Sequence, residues 1–366
     1  MNMYKAASFP GKYIQGSGVI LKLESIIKHF GSKAVLLASP TAKKYLPADY
    51  FQVPLSSLIS LESFGGECCE AALGNLSRSI EQSKADVVIG MGGGKVIDTA
   101  KIAADRASIQ VIIVPTIAST DAPCSGCAVT YSSDGVFDQV HYQRSNPSVV
   151  LVDVDIIAHA PTRFLVAGMG DALATWFEAR SCKETFSLNE CGGLSTLAGQ
   201  NLARLCYDIL LEYGLRAKLD HEAGTISAAL DHIIEANILL SGIGFESGGL
   251  ASAHAIHNGL TILPETHAFY HGEKVAFGVL AGLHLNDSPQ QEIKQVYDFC
   301  VSVGLPVTFD EIGISGISKE KLMRVARKSV EAGSSIHHEK GSINAENVYD
   351  ALLKADAFGQ RIISNA

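Results

Sequence analysis

The chain has 366 residues, more than one hydrophobic core normally serves, so two domains with a cleft between them are expected. It is 47% hydrophobic and 18% charged, with a net charge of −9 and no long basic stretch. That composition excludes a phosphate-backbone partner such as nucleic acid, and the absence of a run of about eighteen apolar residues argues against a membrane span. The N-terminal MNMYKAASFPGKYIQGSG lacks the apolar stretch of an export signal, so the cytoplasm is the expected location. The cysteines at 68, 69, 124, 127, 182, 191, 206 and 300 are scattered and read as free thiols. Cys124 and Cys127 form a CxxC without a second pair at zinc-ribbon spacing; two small loop or core thiols explain it.

In chain order, Lys33–Ala38, Ala85–Met91, Gln110–Pro115 and Val149–Ile157 are Val- and Ile-rich runs without alternation, as in strands covered on both faces of a parallel sheet. Between them, Glu70–Lys84 and Lys95–Ala104 read as crossover helices. From Pro161 onward the apolar period becomes helical, over 167–181, 225–240, 271–285, 289–304 and 345–360, with no further strand of comparable quality. The expected architecture is an N-terminal doubly wound α/β nucleotide-binding domain (1–160) followed by an all-helical metal-binding domain (161–366).

The run ADVVIGMGGGKVIDTAKIAA takes a buried strand straight into a glycine turn and a helix. Gly90, Gly92, Gly93 and Gly94 let the backbone approach a diphosphate, and the N–H groups at the helix start favour anionic oxygens. GxGxxG fails because Lys95 stands where the last glycine belongs, and a P-loop fails because Val96 replaces Ser or Thr. Lys95 taken alone reads as a solvated lysine or a phosphate contact. The next strand releases a long polar segment, Pro115–Tyr131, at the strand end where ligands bind in open α/β sheets. Within it Asp121 either hydrogen-bonds a hydroxylated substrate or caps the turn. In the helical half, Asp171, His254, His257 and His271 supply candidate donors. Two histidines and a carboxylate with open positions suit a catalytic zinc and also non-haem iron. Asp171, directly after Gly170 and before a helical run, reads equally as an N-cap.

PGKYIQG (Pro10–Gly16), FGGEC (Phe64–Cys68), GGGKVIDTAK (Gly92–Lys101), PTIASTDAPCS (Pro115–Ser125), GDALATWFEAR (Gly170–Arg180), the segment Glu235–Thr261 and HGEKVAFG (His271–Gly278) occur in order along the chain. Together they resemble the iron/zinc-containing (type III) alcohol dehydrogenase family, in particular its glycerol-oxidising members, whose fold is dehydroquinate synthase-like. The resemblance implies that Asp171, His254 and His271 hold Zn2+ and that His257 lies beside the metal without ligating it. It further implies that Gly92, Gly93, Gly94 and Lys95 approach the NAD diphosphate. Thr116, Ser119, Ser125, Cys127 and Tyr131 would line the cofactor, and Asp121 would contact the polyol. The implied reaction is oxidation of glycerol or a related vicinal diol, with dihydroxyacetone as the product from glycerol. Asp121 and His254 are the catalytic candidates, and the substrate would meet Asp121, Asp171, His254 and His271. A homo-octamer is the implied assembly.

Three positions depart from the family pattern. Iron-using relatives carry a further histidine where this chain has Thr175, which favours zinc over iron. Cys127 stands where an aliphatic residue is usual. Ser39 ends the second strand where an acidic residue usually meets the adenosine ribose, so weaker discrimination against NADP is expected. Two other functions are alternatives: a dehydroquinate-synthase-like lyase, which would need several basic residues near the metal where only Arg180 and Lys274 are found, and a non-catalytic NAD-binding protein.

Overall fold

A computed structural model describes residues 4–45, 58–133 and 137–364. The chain forms two compact units. The first is Ser8–Pro161 together with Gly224–Ile226. Its strands are β1 (Tyr13–Gly16), β2 (Ala34–Ala38), β3 (Ile59–Ser63), β4 (Val87–Gly92), β5 (Gln110–Pro115), β6 (Cys127–Tyr131), β7 (Phe137–Tyr142) and β8 (Val149–Asp153). Six of them build one parallel sheet in the order β1-β8-β5-β4-β2-β3, while β6 and β7 pair antiparallel as a separate ribbon. The helices are α1 (Leu23–Phe30), α2 (Glu70–Ser83), α3 (Gly94–Ala107) and α4 (Val154–Ala158).

The central strands are apolar throughout because both faces are covered: β2, β4 and β8 are buried at every residue. Leu23 and Ile27 of α1 pack with Leu36, Ile89, Ile112 and Leu151; each such side chain contributes about 1.5–3 kcal/mol by leaving water. On α3 the approach is closer still. A Cβ on Gly90 would lie 2.6 Å from the Ala100 Cβ, so a glycine in the strand and an alanine in the helix let α3 settle directly on β4. The strand order reverses between β2 and β4, since β3 lies on one side of β2 and β4 and β5 on the other. Ligands bind outside the carboxyl ends of strands at such a switch point.

Sequence and structure differ at the edges of this sheet. The short strands β1 and β3, with half-exposed burial patterns, carry no continuous apolar run to announce them. The expected strand Val149–Ile157 is a strand that stops at Asp153, whose carboxylate caps α4 by accepting from the Asp155 and Ile156 N–H groups. The apolar pattern runs on because both elements are buried.

The second unit comprises Thr162–Ala223, Ser227–Ala366 and the N-terminal stretch through Ala7. Tyr4 and Ala6 join it by exchanging backbone hydrogen bonds with Leu194, so residues 4–7 lie with the helices. Its helices are α5 (Thr162–Thr185), α6 (Leu197–Glu222), α7 (Ala228–Glu235), α8 (Ser241–Gly248), α9 (Ser252–Leu260), α10 (His271–Leu285), α11 (Gln290–Val303), α12 (Lys319–Ser329) and α13 (Ala345–Ser364). No strand occurs among its described residues. A π-turn at Ala236–Leu240 links α7 to α8. This run, Ala228–Gly248, reaches membrane-spanning length with a mean hydropathy of 1.2, and 72% of it is buried inside the unit. It is a core helix that packs its apolar residues on α5 and α6, while Asp231, His232 and Glu235 remain partly exposed.

Candidate active site

In the helical unit, Asp171 lies in the middle of α5, His254 in the first turn of α9 and His271 at the start of α10. Asp171 therefore does not cap a helix N-terminus. One donor atom from each of the three residues falls within 4.8 Å of the others. His271 Nε2 is 3.1 Å and His254 Nε2 3.5 Å from Asp171 Oδ1. Two glycines bring this about. A Cβ on Gly272 would lie 1.8 Å from Ala167 O, and one on Gly170 would lie 2.3 Å from Gly272 O. Helices α5 and α10 thus touch backbone to backbone, and the residue beside each glycine, Asp171 on one and His271 on the other, is delivered to the contact.

The outer nitrogen of each imidazole is held. Glu178, two turns beyond Asp171 on α5, is buried. Its Oε2 accepts from His254 Nδ1 at 2.6 Å, and its Oε1 accepts from the backbone N–H groups of Ala251 (2.9 Å) and His254 (3.0 Å). An ionised carboxylate only accepts, so Nδ1 carries a proton and Nε2 faces Asp171. On the other side Asn258 Oδ1 lies 3.1 Å from His257 Nδ1, and His257 Nε2 lies 3.0 Å from His271 Nδ1. With the amide oxygen accepting, His257 accepts in turn from His271 Nδ1–H and leaves His271 Nε2 for the cluster. Burial works against a charge on His254, but Glu178 and Asp171 outweigh it and hold its pKa well above the ordinary value. Burial, reinforced by His271 and Lys274, holds His257 well below it. The Asp171 carboxyl, which burial alone would raise, is kept low by His271 and His254. Thr175 makes a 2.9 Å hydroxyl pair with Ser241 and adds no nitrogen donor.

In the α/β unit the nucleotide-site candidates cluster at the carboxyl ends of β2, β4 and β5. Ser39 follows β2; its N–H donates to Met91 O (3.2 Å) and its hydroxyl accepts from the Ala42 N–H (3.1 Å). Gly92 ends β4, and Gly93 is the N-cap of α3 with no side chain capping it and no acidic residue in the first turn, which leaves an electropositive helix start. Thr116 follows β5 and donates its N–H to Gly92 O at 3.1 Å. Lys95 is ion-paired to Glu67 at 2.6 Å and lies 5.5 Å from the centre of the Tyr131 ring. Ser119, Asp121 and Ser125 are buried in the loop between β5 and β6, and Cys127 and Tyr131 are the first and last residues of β6. Burial pushes the Tyr131 phenol up to about 12, so it remains a hydroxyl. Cys124 is buried and Cys127 half-buried, and neither forms a disulfide.

Sequence reasoning passed over Glu178 and Lys101. Glu178 stands seven residues after Asp171, hence on the same helix face. Lys101 is a buried lysine among the apolar residues of α3.

Residues 10–154 match the family of iron-containing alcohol dehydrogenases. Over 98% of both chains, the sequence is 50% identical to the glycerol dehydrogenase of Thermotoga maritima. It is 45% identical to that of Citrobacter freundii, with 98% of this chain and 99% of the other covered. The crystal structure of glycerol dehydrogenase from Schizosaccharomyces pombe superposes with a TM-score of 0.93 at 35% identity, covering 98% of this chain and 92% of that one.

Proposed function

The chain belongs to the iron-containing alcohol dehydrogenase family and is an oxidoreductase acting on glycerol; we propose that it moves a hydride from the secondary carbinol carbon of glycerol to NAD, using a zinc ion held by Asp171, His254 and His271. The observation that carries the metal assignment is the convergence of these three donors within 4.8 Å. The donor set fits a dication. Asp171 and Glu178 are two buried carboxylates whose partners in the cluster are imidazoles, and both outer imidazole nitrogens are engaged, which turns the inner ones to one point. Three protein donors with room for exogenous oxygen suit zinc, and Thr175 supplies no fourth. When bound, the ion contributes Lewis acidity, which lowers the pKa of a substrate hydroxyl.

The remaining work falls to the chain's own residues. The uncapped start of α3 at Gly93, Gly94 and Lys95 holds the diphosphate, while Thr116, Ser119, Ser125, Cys127 and Tyr131 line the cofactor. Ser39 offers the adenosine ribose a neutral hydroxyl. Asp121 accepts hydrogen bonds from polyol hydroxyls and so orients the secondary carbon. The reaction converts glycerol and NAD+ into dihydroxyacetone, NADH and a proton. A homo-octamer is the proposed assembly, and sedimentation equilibrium measures it directly. The functional test is product identification: one dihydroxyacetone per NADH formed is expected. Glyceraldehyde as the product would move the chemistry to the primary hydroxyl, and an absence of NADH formation from glycerol would overturn the reading.

A further inference from the structure

Lys101 occupies a place on α3 where an apolar residue would be expected: it is 1% exposed and sits between Ala100 and Ile102. A lysine is almost never buried without partners, and the partners here are unusual. Nζ lies 2.9 Å from Ala122 O and 3.2 Å from Ser125 O, and it also donates to Cys127 O. An ammonium has three N–H donors, and three backbone carbonyls from the β5–β6 loop and the first residue of β6 meet them. Asp98 Oδ1, one turn back on the same helix, stands 3.5 Å away as the counter-charge, and Asp98 Oδ2 accepts from the Val129 N–H of β6 at 3.1 Å. Two other carbonyls of the segment are engaged elsewhere: Cys124 O accepts from Asn146 Nδ2 (3.0 Å) and Gly126 O from the Gln143 N–H (2.7 Å).

The same helix begins at Gly94, about 10 Å, or two turns, before Lys101. One rigid element therefore carries the diphosphate turn at its start and grips, two turns on, the loop that holds Asp121 and Ser125. We infer that Lys101 is a positioning residue that fixes the Ala122–Cys127 loop relative to the diphosphate turn, so that the cofactor and the polyol meet a preformed loop. The inference rests on the assignment of that loop to NAD and polyol binding. Removing the ammonium takes the shared donor from three carbonyls and leaves the Ser125 hydroxyl, 3.3 Å from Ala122 O and 3.4 Å from Cys127 O, as the weaker contact, which loosens the loop.

The test is NADH binding followed by fluorescence titration in Lys101→Met, with melting temperature and bound zinc measured in parallel. The expected result is a dissociation constant raised about tenfold or more, the scale of one lost charge-assisted contact. The KM for glycerol should rise with it and the zinc content should stay at the wild-type value. A lysine with only a structural role would lower the melting temperature while the folded protein bound NADH with wild-type affinity, and that result would overturn the inference. Should the methionine variant fail to fold, Lys101→Arg serves, since a planar fork cannot place its donors on the same three carbonyls. Weaker NADH binding by the folded arginine variant supports the inference, and unchanged binding rejects it. If the wild-type chain bound no NADH, both the site assignment and the inference would fall.

Discussion

Replacing Glu178 by glutamine isolates the contribution of a residue that touches neither substrate nor cofactor. The wild-type carboxylate accepts three hydrogen bonds, two from the backbone at Ala251 and His254 and one from His254 Nδ1. A glutamine oxygen can keep the two backbone donors, but its NH2 group then faces Nδ1. To avoid donor against donor, the imidazole must give up its Nδ1 proton and carry it on Nε2 instead. Nε2 is the atom turned toward Asp171, 3.5 Å away, and a protonated nitrogen cannot ligate a metal. Either the tautomer is wrong or a buried hydrogen bond to a charged group is lost, at about 1.5–3 kcal/mol. Loss of such an outer partner lowers metal affinity by about 10–100-fold. Competition for Zn2+ against a chromophoric chelator reads this out independently of turnover, while NADH binding in the other unit should be unchanged. A Glu178→Gln variant holding zinc as tightly as wild type would refute the positioning argument.

His271→Ala should lose most of the bound metal and all turnover while retaining NADH affinity, as checked by metal analysis and fluorescence titration. Gly272→Ala places a Cβ 1.8 Å from Ala167 O; forcing α5 and α10 apart should cost about 1–3 kcal/mol or more and weaken zinc binding, measurable by thermal denaturation and chelator competition. Asp121→Ala should raise the KM for glycerol more than that for a monohydric secondary alcohol, because only the polyol loses a contact; equal effects in steady-state kinetics would indicate a turn cap. Ser39→Asp can still accept from the Ala42 N–H, and the added charge should lower the KM for NAD and suppress activity with NADP. An unchanged ratio of kcat/KM for the two cofactors would place the ribose contact elsewhere.

The parts of this molecule that were legible from sequence were those with a regular hydrophobic period. Gln110–Pro115 and His271–Leu285 announced both their type and their limits, because the apolar runs 111–115 and 275–283 are buried throughout and their polar residues fall near the ends. Edge strands such as Ile59–Ser63 did not, since half-exposed positions follow no simple rule. Asp171, His254 and His271 were visible as candidates, but the sequence around Asp171 read equally as an N-cap. What separates those readings is the approach of α5 to α10 at Gly170 and Gly272, a contact between positions about a hundred residues apart that no local pattern encodes. Glu178 and Lys101 were hidden for another reason. Each acts through carbonyls, amides or an imidazole contributed by distant segments, so its role exists only in the folded chain.

Glycerol oxidation is proposed to depend on one divalent ion bound by the Asp171, His254 and His271 cluster. The most direct measurement is a zinc titration of chelator-stripped protein, following NADH formation from glycerol at saturating NAD. Activity should be absent at the start, rise linearly and reach its plateau at one zinc per chain. Full activity in the stripped protein, or no recovery at any zinc concentration while the protein remains folded and binds NADH, would rule out this dependence.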